Sequence, residues 1–267
     1  MRQASSSPDR YTSLHVTLVI VGFFALWQIG VLVTNVPEYI LPTPTAIAKE
    51  FLSAPYWYLD HTLRTIVATL LGFLAALVVG CIAAIGILYS RILEKTLYTL
   101  LVALNSVPKI ALAPLFIIWM GTGLLSKVAI SFLIALFVVV VDTVLGLRSV
   151  DPDAVDLFRS MRSSGFQMLR WLRMPNALPH FFAAMKVAIS LALVGAIAGE
   201  FVASEAGLGY VILSAQGAFQ TTRVFAAIVL LGVLGAILFF IVELLERIVC
   251  PWHVSQRKQN RAEQGAT

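Results

Sequence analysis

Six stretches of the chain are apolar over about twenty residues or more, and charge, proline and glycine collect in the segments between them. They run from Leu14 to Thr34, Leu63 to Leu88, Thr96 to Met120, Val128 to Leu147, Phe181 to Val202 and Val224 to Val249. A helix crossing about 30 Å of hydrocarbon must satisfy every backbone group within itself, which takes roughly 20 apolar residues. The pattern therefore predicts an all-α membrane protein with six transmembrane helices in a domain over 14–249, between polar tails at 1–13 and 250–267. The first stretch follows a serine-rich leader and resembles a signal peptide. Its run exceeds the roughly 7 to 15 residues of a signal core, and no small-residue cleavage site precedes Pro37, so it reads as a span. In the third, Asn105-Ser106-Val107-Pro108 interrupts the run, and Pro108 is expected to kink or break the helix.

Composition removes the soluble alternatives. The 267 residues are 59% hydrophobic and 12% charged, against about 25% charged in an ordinary globular domain. Cys81 and Cys250 are too far apart in sequence and context to suggest a disulfide framework or a zinc site. The 19 Lys and Arg are distributed unevenly. Arg2, Arg10, Arg91, Lys95, Arg148, Arg159, Arg162, Arg170, Arg173, Arg247, Arg257, Lys258 and Arg261 share one side, while the other holds only Lys49, Arg64, Lys127 and Arg223. By the positive-inside rule both termini and the loop between spans four and five are cytoplasmic. The net charge of +5 is thus a topology signal and gives no hint of a nucleic-acid partner.

That loop, 149–179, is long enough to hold structure of its own. Asp151-Pro152-Asp153 is a helix start, with an acidic cap and proline at the first helical position. A first short helix is expected over Ala154 to Met161, a break at Ser163-Ser164-Gly165, and a second helix over Phe166 to Arg173 that ends before Pro175. Val155, Phe158 and Met161 line one side of the first, and Phe166, Leu169, Leu172 and Arg173 one side of the second. Exposed apolar knobs among four arginines suit either a protein partner or the anionic headgroups of the bilayer.

The stretch Asp156 to Pro175 resembles the EAA loop of ABC transporter permeases, whose pattern is E-A-A, three residues, G, nine residues, then I-x-L-P. Asp156, Leu157 and Phe158 stand at E-A-A, and Leu172, Met174 and Pro175 at I, L and P; Arg162 replaces the glycine, and Gly165 follows three residues later. Leu41-Pro42-Thr43-Pro44-Thr45, the run from Val107 to Leu115, Arg148 to Pro152, and Gly199-Glu200-Phe201-Val202-Ala203 with Gly207-Leu208-Gly209-Tyr210 extend the similarity from about Pro42 to Glu246. The whole is similar to inner-membrane permeases of the nitrate, sulfonate and taurine type, a group that includes pyrimidine-precursor importers. This resemblance implies six helices per subunit and a dimer, most simply a homodimer. It also implies a cytoplasmic coupling-helix hairpin between helices 4 and 5 gripped by each of two ATP-binding subunits, and an extracytoplasmic solute-binding protein. Asp156, Phe158, Arg159, Arg162, Gly165, Phe166, Leu172 and Pro175 would then form the ATPase-coupling surface. No phosphate-binding loop occurs, since Gly121-Thr122-Gly123 leads to Ser126-Lys127 in the wrong order. ATP and Mg are therefore expected on the partner ATPase, with no cofactor, metal or catalytic residue in this chain.

A charge at membrane depth costs about 2.5 to 3.5 kcal/mol on insertion scales, so each demands a role. Asn105, Pro108 and Lys109 lie at the broken helix, where freed carbonyls can line a cavity; Lys109 faces a translocation pathway or pairs with a neighbour such as Asp142. Lys186 is expected to snorkel to the inner headgroups. Glu200 either accepts backbone or serine hydrogen bonds or acts as a gate, and Gln216 faces a lumen or water according to whether 207–220 is re-entrant or interfacial. The resemblance implies an importer subunit, and a pathway containing Lys109 would favour a small anionic organic solute by charge complementarity. A stand-alone secondary carrier is the alternative. An intramembrane protease lacks its requirements, because the histidines at 15, 61, 180 and 253 lie at span edges or in loops and only one aspartate lies within a span.

Overall fold

The computed structural model describes residues 9–251. Arg2, Arg257, Lys258 and Arg261, which entered the charge count, lie outside the described residues. The helices are α1 (Asp9–Thr34), α2 (Pro44–Ser53), α3 (Pro55–Tyr89), α4 (Arg91–Ser106), α5 (Ala113–Met120), α6 (Leu124–Arg148), α7 (Pro152–Ser160), α8 (Gly165–Met168), α9 (Met174–Ala203), α10 (Leu208–Gly217) and α11 (Thr221–Val249). A 3-10 turn, Lys109–Leu112, precedes α5, and a π turn, Leu169–Arg173, joins α8 to α9. Among the described residues four helical stretches are long and apolar enough to cross a membrane: α3, Gly165–Val202, α6 and α11. Leu18–Thr34 and Lys109–Met120 are shorter apolar helices. The third predicted span is therefore two pieces. Ser90 caps an amphipathic helix by accepting from the Leu93 amide, and that helix stops at Ser106 before Pro108, which has no N–H to donate.

One unit comprises residues up to Leu59 together with Val211–Val229. From Leu18 to Thr34 its first helix is apolar, with Val19, Leu26 and Val33 exposed and Val31 buried, as suits a helix with one side toward lipid. Thr43 caps α2 ahead of Pro44 by accepting from the Ala46 amide. Arg223 donates to Glu50 at 2.9 Å and its guanidinium lies over the Trp57 ring, while the Tyr58 hydroxyl donates to the same carboxylate.

The second unit, Asp60–Tyr210 and the residues from Leu230 on, is built on α3, α6 and α9. Small residues let these backbones approach closely, the packing available where lipid removes the hydrophobic drive between helices. A Cβ on Gly195 would come within 2.6 Å of the Ser131 Cα, and one on Gly146 would meet the backbone of Ala177. These pairings make α6 and α9 antiparallel, and the Ser131 hydroxyl donates across them to the Ala192 carbonyl at 2.8 Å. Lys186 does not reach for headgroups as anticipated. It forms an ion pair with Glu246 of α11 and lies over the Phe239 ring, so its charge is met within the protein.

Between α6 and α9 lies the hairpin. Asp151 caps α7, accepting from the Asp153 amide, with Pro152 in the first turn. The chain turns through Arg162, whose φ of 55° is left-handed. Ser164 and Gln167 then form a reciprocal capping box that starts α8. The second helix does not end before Pro175: α8, the π turn and α9 run without a break into the membrane segment. In the π turn the Met174 amide bonds five residues back, to Leu169. This wider turn places Pro175 in the first turn of α9, where a missing N–H is tolerated.

Candidate functional site

The hairpin's inner side is tied to the helix ends around it. The Tyr89 hydroxyl, on the last residue of α3, donates to the Gly165 carbonyl at 2.7 Å. Arg173 donates to the Leu147 carbonyl at 3.1 Å and Asn176 to the Ser149 hydroxyl at 2.9 Å. Arg148, ending α6, pairs with Glu94 of α4 at 2.8 Å. That guanidinium holds the Glu94 carboxyl below the usual range, by its hydrogen bond first and its charge second. Leu169 is buried beneath the hairpin with Ala84, Ile87, Val144, Leu147 and Ala177.

What remains exposed is the outer side. Leu157, Met161, Phe166 and Trp171 are large apolar side chains open to solvent, with Arg170 stacked on Trp171 and Arg159 paired with Asp156, one turn away. Of the residues expected at a coupling surface, Asp156, Arg159, Arg162, Gly165, Phe166 and Pro175 are exposed, while Phe158 and Leu172 are half-buried. Trp171, absent from that expectation, joins the exposed set. Its i+5 offset from Phe166 is off the helical period, and only the π turn brings it into play.

At the opposite end of α9 lies a buried polar cluster. Glu200 is 1% exposed. Its Oε1 accepts from the Thr65 hydroxyl at 2.8 Å and its Oε2 from the Gly209 amide at 2.7 Å. Thr65 in turn accepts from the Leu208 amide at 2.9 Å, and His61 Nδ1 accepts from the Gly207 amide at 3.0 Å. The two side chains from α3 and the carboxylate from α9 thus satisfy three consecutive amides of the turn after α9. A Cβ on Gly207 would strike the Glu200 carboxyl, and the φ of 113° there favours glycine. The arrangement locks the 204–209 turn onto α3 and α9, and a buried carboxylate with two donors is stable where an unpaired one is not.

The other anticipated residues do not join this cluster. Lys109 donates to Asn105, one turn back, and lies 5.9 Å from the Phe137 ring; the pairing with Asp142 is not formed. Pro108 and Asn105 are exposed, and so is Gln216. His61, Thr65 and Lys127 lie at the Glu200 end of α9, and no site role was expected of them. In this region Glu200 and the glycines at 207 and 209 carried the signal in sequence.

Residues 76–249 match the family described as the binding-protein-dependent transport system inner membrane component. The riboflavin transport system permease protein RibX of Chloroflexus aurantiacus is 36% identical over 246 residues, covering 91% of this chain and 90% of that protein. The formylaminopyrimidine transport permease protein ThiX of Halalkalibacterium halodurans is 32% identical, covering 92% and 98%. The putative aliphatic sulfonates transport permease protein SsuC of Escherichia coli is 31% identical, covering 87% and 89%. Among solved structures, an inward-facing MetNI methionine ABC transporter aligns with a TM-score of 0.66 at 18% identity, over 74% of this chain and 98% of that one.

Proposed function

The chain belongs to the binding-protein-dependent transport system inner membrane component family, making it a multi-pass membrane transport subunit, and from that premise we propose that it forms the translocation pathway of an ATP-driven importer. Two copies would enclose the path, with both termini cytoplasmic, and two ATP-binding subunits would bind and hydrolyse Mg-bound ATP outside this chain. A solute-binding protein would deliver cargo to the face remote from the hairpin. The observation that carries this reading is the hairpin itself. Its inner side is fastened by Tyr89, Arg173 and Asn176, while its outer side leaves Leu157, Met161, Phe166 and Trp171 unburied among arginines. A surface so constructed suits a protein groove better than a headgroup layer, because its helix continues directly into α9. Motion imposed on Phe166 therefore reaches the membrane segment without a flexible joint.

The cargo is a small anionic organic solute, a sulfonate or carboxylate, supported by the relatives named for aliphatic sulfonates and taurine. A heteroaromatic cargo is the second reading, favoured by the 36% and 32% identity to the riboflavin and formylaminopyrimidine permeases. The test is ATP-driven uptake in vesicles holding the permease and its ATPase, supplied with the binding protein and either taurine or riboflavin. Uptake of one that requires ATP and is abolished by Phe166→Asp, which sets a charge on the exposed apolar side of the hairpin, supports the assignment. Uphill uptake by the permease alone, or wild-type uptake in the Phe166→Asp variant, would overturn it.

A further inference from the structure

Beside the Glu200 lock is a cleft of 430 Å³ whose charged lining is Asp60 and Arg64 of α3, Lys127 of α6, and Glu205, with Gly123 and Leu124 at the start of α6 on one wall. Its charges are unequally engaged. Arg64 is neutralised by Asp60 at 2.9 Å. Lys127, in contrast, has no ion-pair partner among the described residues; its ammonium donates to the Ser204 hydroxyl at 2.6 Å and to the Ala206 carbonyl at 3.4 Å. The start of α6, a 25-residue helix, has no side-chain cap, so its first-turn amides add positive potential on the same wall. The Lys127 backbone cannot retreat, because Gly199 lets α9 approach to where a Cβ would sit 3.1 Å from the Lys127 Cα. Only the ammonium is free to change partners.

We propose that this cleft receives the head of a small monoanion, a carboxylate or sulfonate, and that Lys127 is both its receiving group and a latch. The anion competes with two neutral oxygens for the ammonium, and a charge-assisted bond is roughly twice as strong as a neutral one. Winning that competition withdraws Lys127 from Ser204 and Ala206, the residues immediately before Gly207, and so loosens the turn that Glu200, Thr65 and His61 hold. Glu205 in the same cleft opposes a second negative charge, which disfavours dianions. This inference rests on the reading of the chain as a solute-conducting subunit, and it gives that reading a point at which cargo itself begins to open the path.

The test is hydrogen–deuterium exchange of the full chain in lipid nanodiscs, without ATPase or binding protein, using methanesulfonate as probe against sodium chloride and sodium sulfate at equal ionic strength. In the wild type, methanesulfonate speeds exchange across 204–209 by about tenfold, the worth of one hydrogen bond to a charged group, and sulfate does less. Lys127→Gln exchanges fast without the probe and ignores it, whereas Lys127→Arg responds. Ser204→Ala breaks the latch from its other end and also starts fast. An unresponsive wild type, an equal response in Lys127→Gln, or a wild-type baseline in Ser204→Ala overturns the proposal. Because no transport is measured, those outcomes leave the uptake assay standing, and a failed uptake assay with intact exchange responses refutes only the importer assignment.

Discussion

Removing one partner of the Lys186–Glu246 pair exposes how this membrane domain handles charge. The side chains are 14% and 4% exposed, whereas the Arg64–Asp60 pair is 58% exposed on both sides. An exposed pair contributes about 0 to 1 kcal/mol, but deleting one member of a buried pair costs about 3 to 5 kcal/mol, because the remaining charge is stranded. Glu246→Gln leaves the Lys186 ammonium with the Phe239 ring as its remaining close partner, and a cation–π contact of about 0.5 to 2 kcal/mol does not replace a carboxylate. For a chain of this size about 2 to 4 °C accompanies each kcal/mol. Glu246→Gln should therefore lower the melting temperature of the purified permease by about 6 to 20 °C. Lys186→Met should cost about the same, since it strands the Glu246 carboxylate in its turn. The double variant Lys186→Met/Glu246→Leu should return close to wild type, because well-packed apolar replacement of a buried pair is neutral or stabilising. The measurement is thermal unfolding in detergent, read by thiol exposure of the buried Cys250 and repeated at two salt concentrations, where a buried pair shows little change. A double variant as unstable as Glu246→Gln, or a single variant within a degree or two of wild type, would refute the reasoning.

Arg162→Gly should stabilise the hairpin by about 1 kcal/mol, since a non-glycine residue in the left-handed region costs about that much, and should keep ATP-driven uptake; thermal melting and uptake read the two effects. Thr65→Val should cost about 2 to 4 kcal/mol locally, removing a donor from Glu200 and stranding the Leu208 amide, while Thr65→Ser retains both; protease sensitivity of the 204–209 turn distinguishes them. With Glu94 held low by Arg148, its contribution is fully present above the unfolded carboxylate value of about 4.3 and is lost as pH falls through the depressed folded value. The wild type should therefore lose stability below about pH 4.3, where Glu94→Gln, lacking the pair throughout, declines less; melting curves between neutral and acidic pH check it.

Local pattern was readable wherever the physics is local. Unbroken apolar runs gave α3, α6 and α11, and Asp151-Pro152 marked the start of α7 because capping needs only adjacent residues. Three features escaped for different reasons. Arg91, Glu94 and Lys95 looked like loop, yet Ser90 caps a helix whose charged face is exposed. Pro175 looked like a stop, but the π turn before it lets the helix pass. The Thr65 partner of Glu200 and the Glu246 partner of Lys186 lie 135 and 60 residues away along the chain, and no periodicity encodes a contact at that separation. Buried charge announced that partners must exist, and tertiary structure alone says which.

The run from Gly165 to Val202 continues through the π turn and past Pro179, and at 1.5 Å per residue it reaches at most about 57 Å. Phe166 sits at one tip and Glu200 near the other. Tilting such a shaft by about 5° displaces its far tip by about 5 Å, wide enough to pull a carboxylate clear of a hydroxyl and an amide at once. A permease made this way has no need of a relay of side chains through its interior. Its two ends are geared by a single piece of backbone, and a defect at either should be correctable by substitutions at the other.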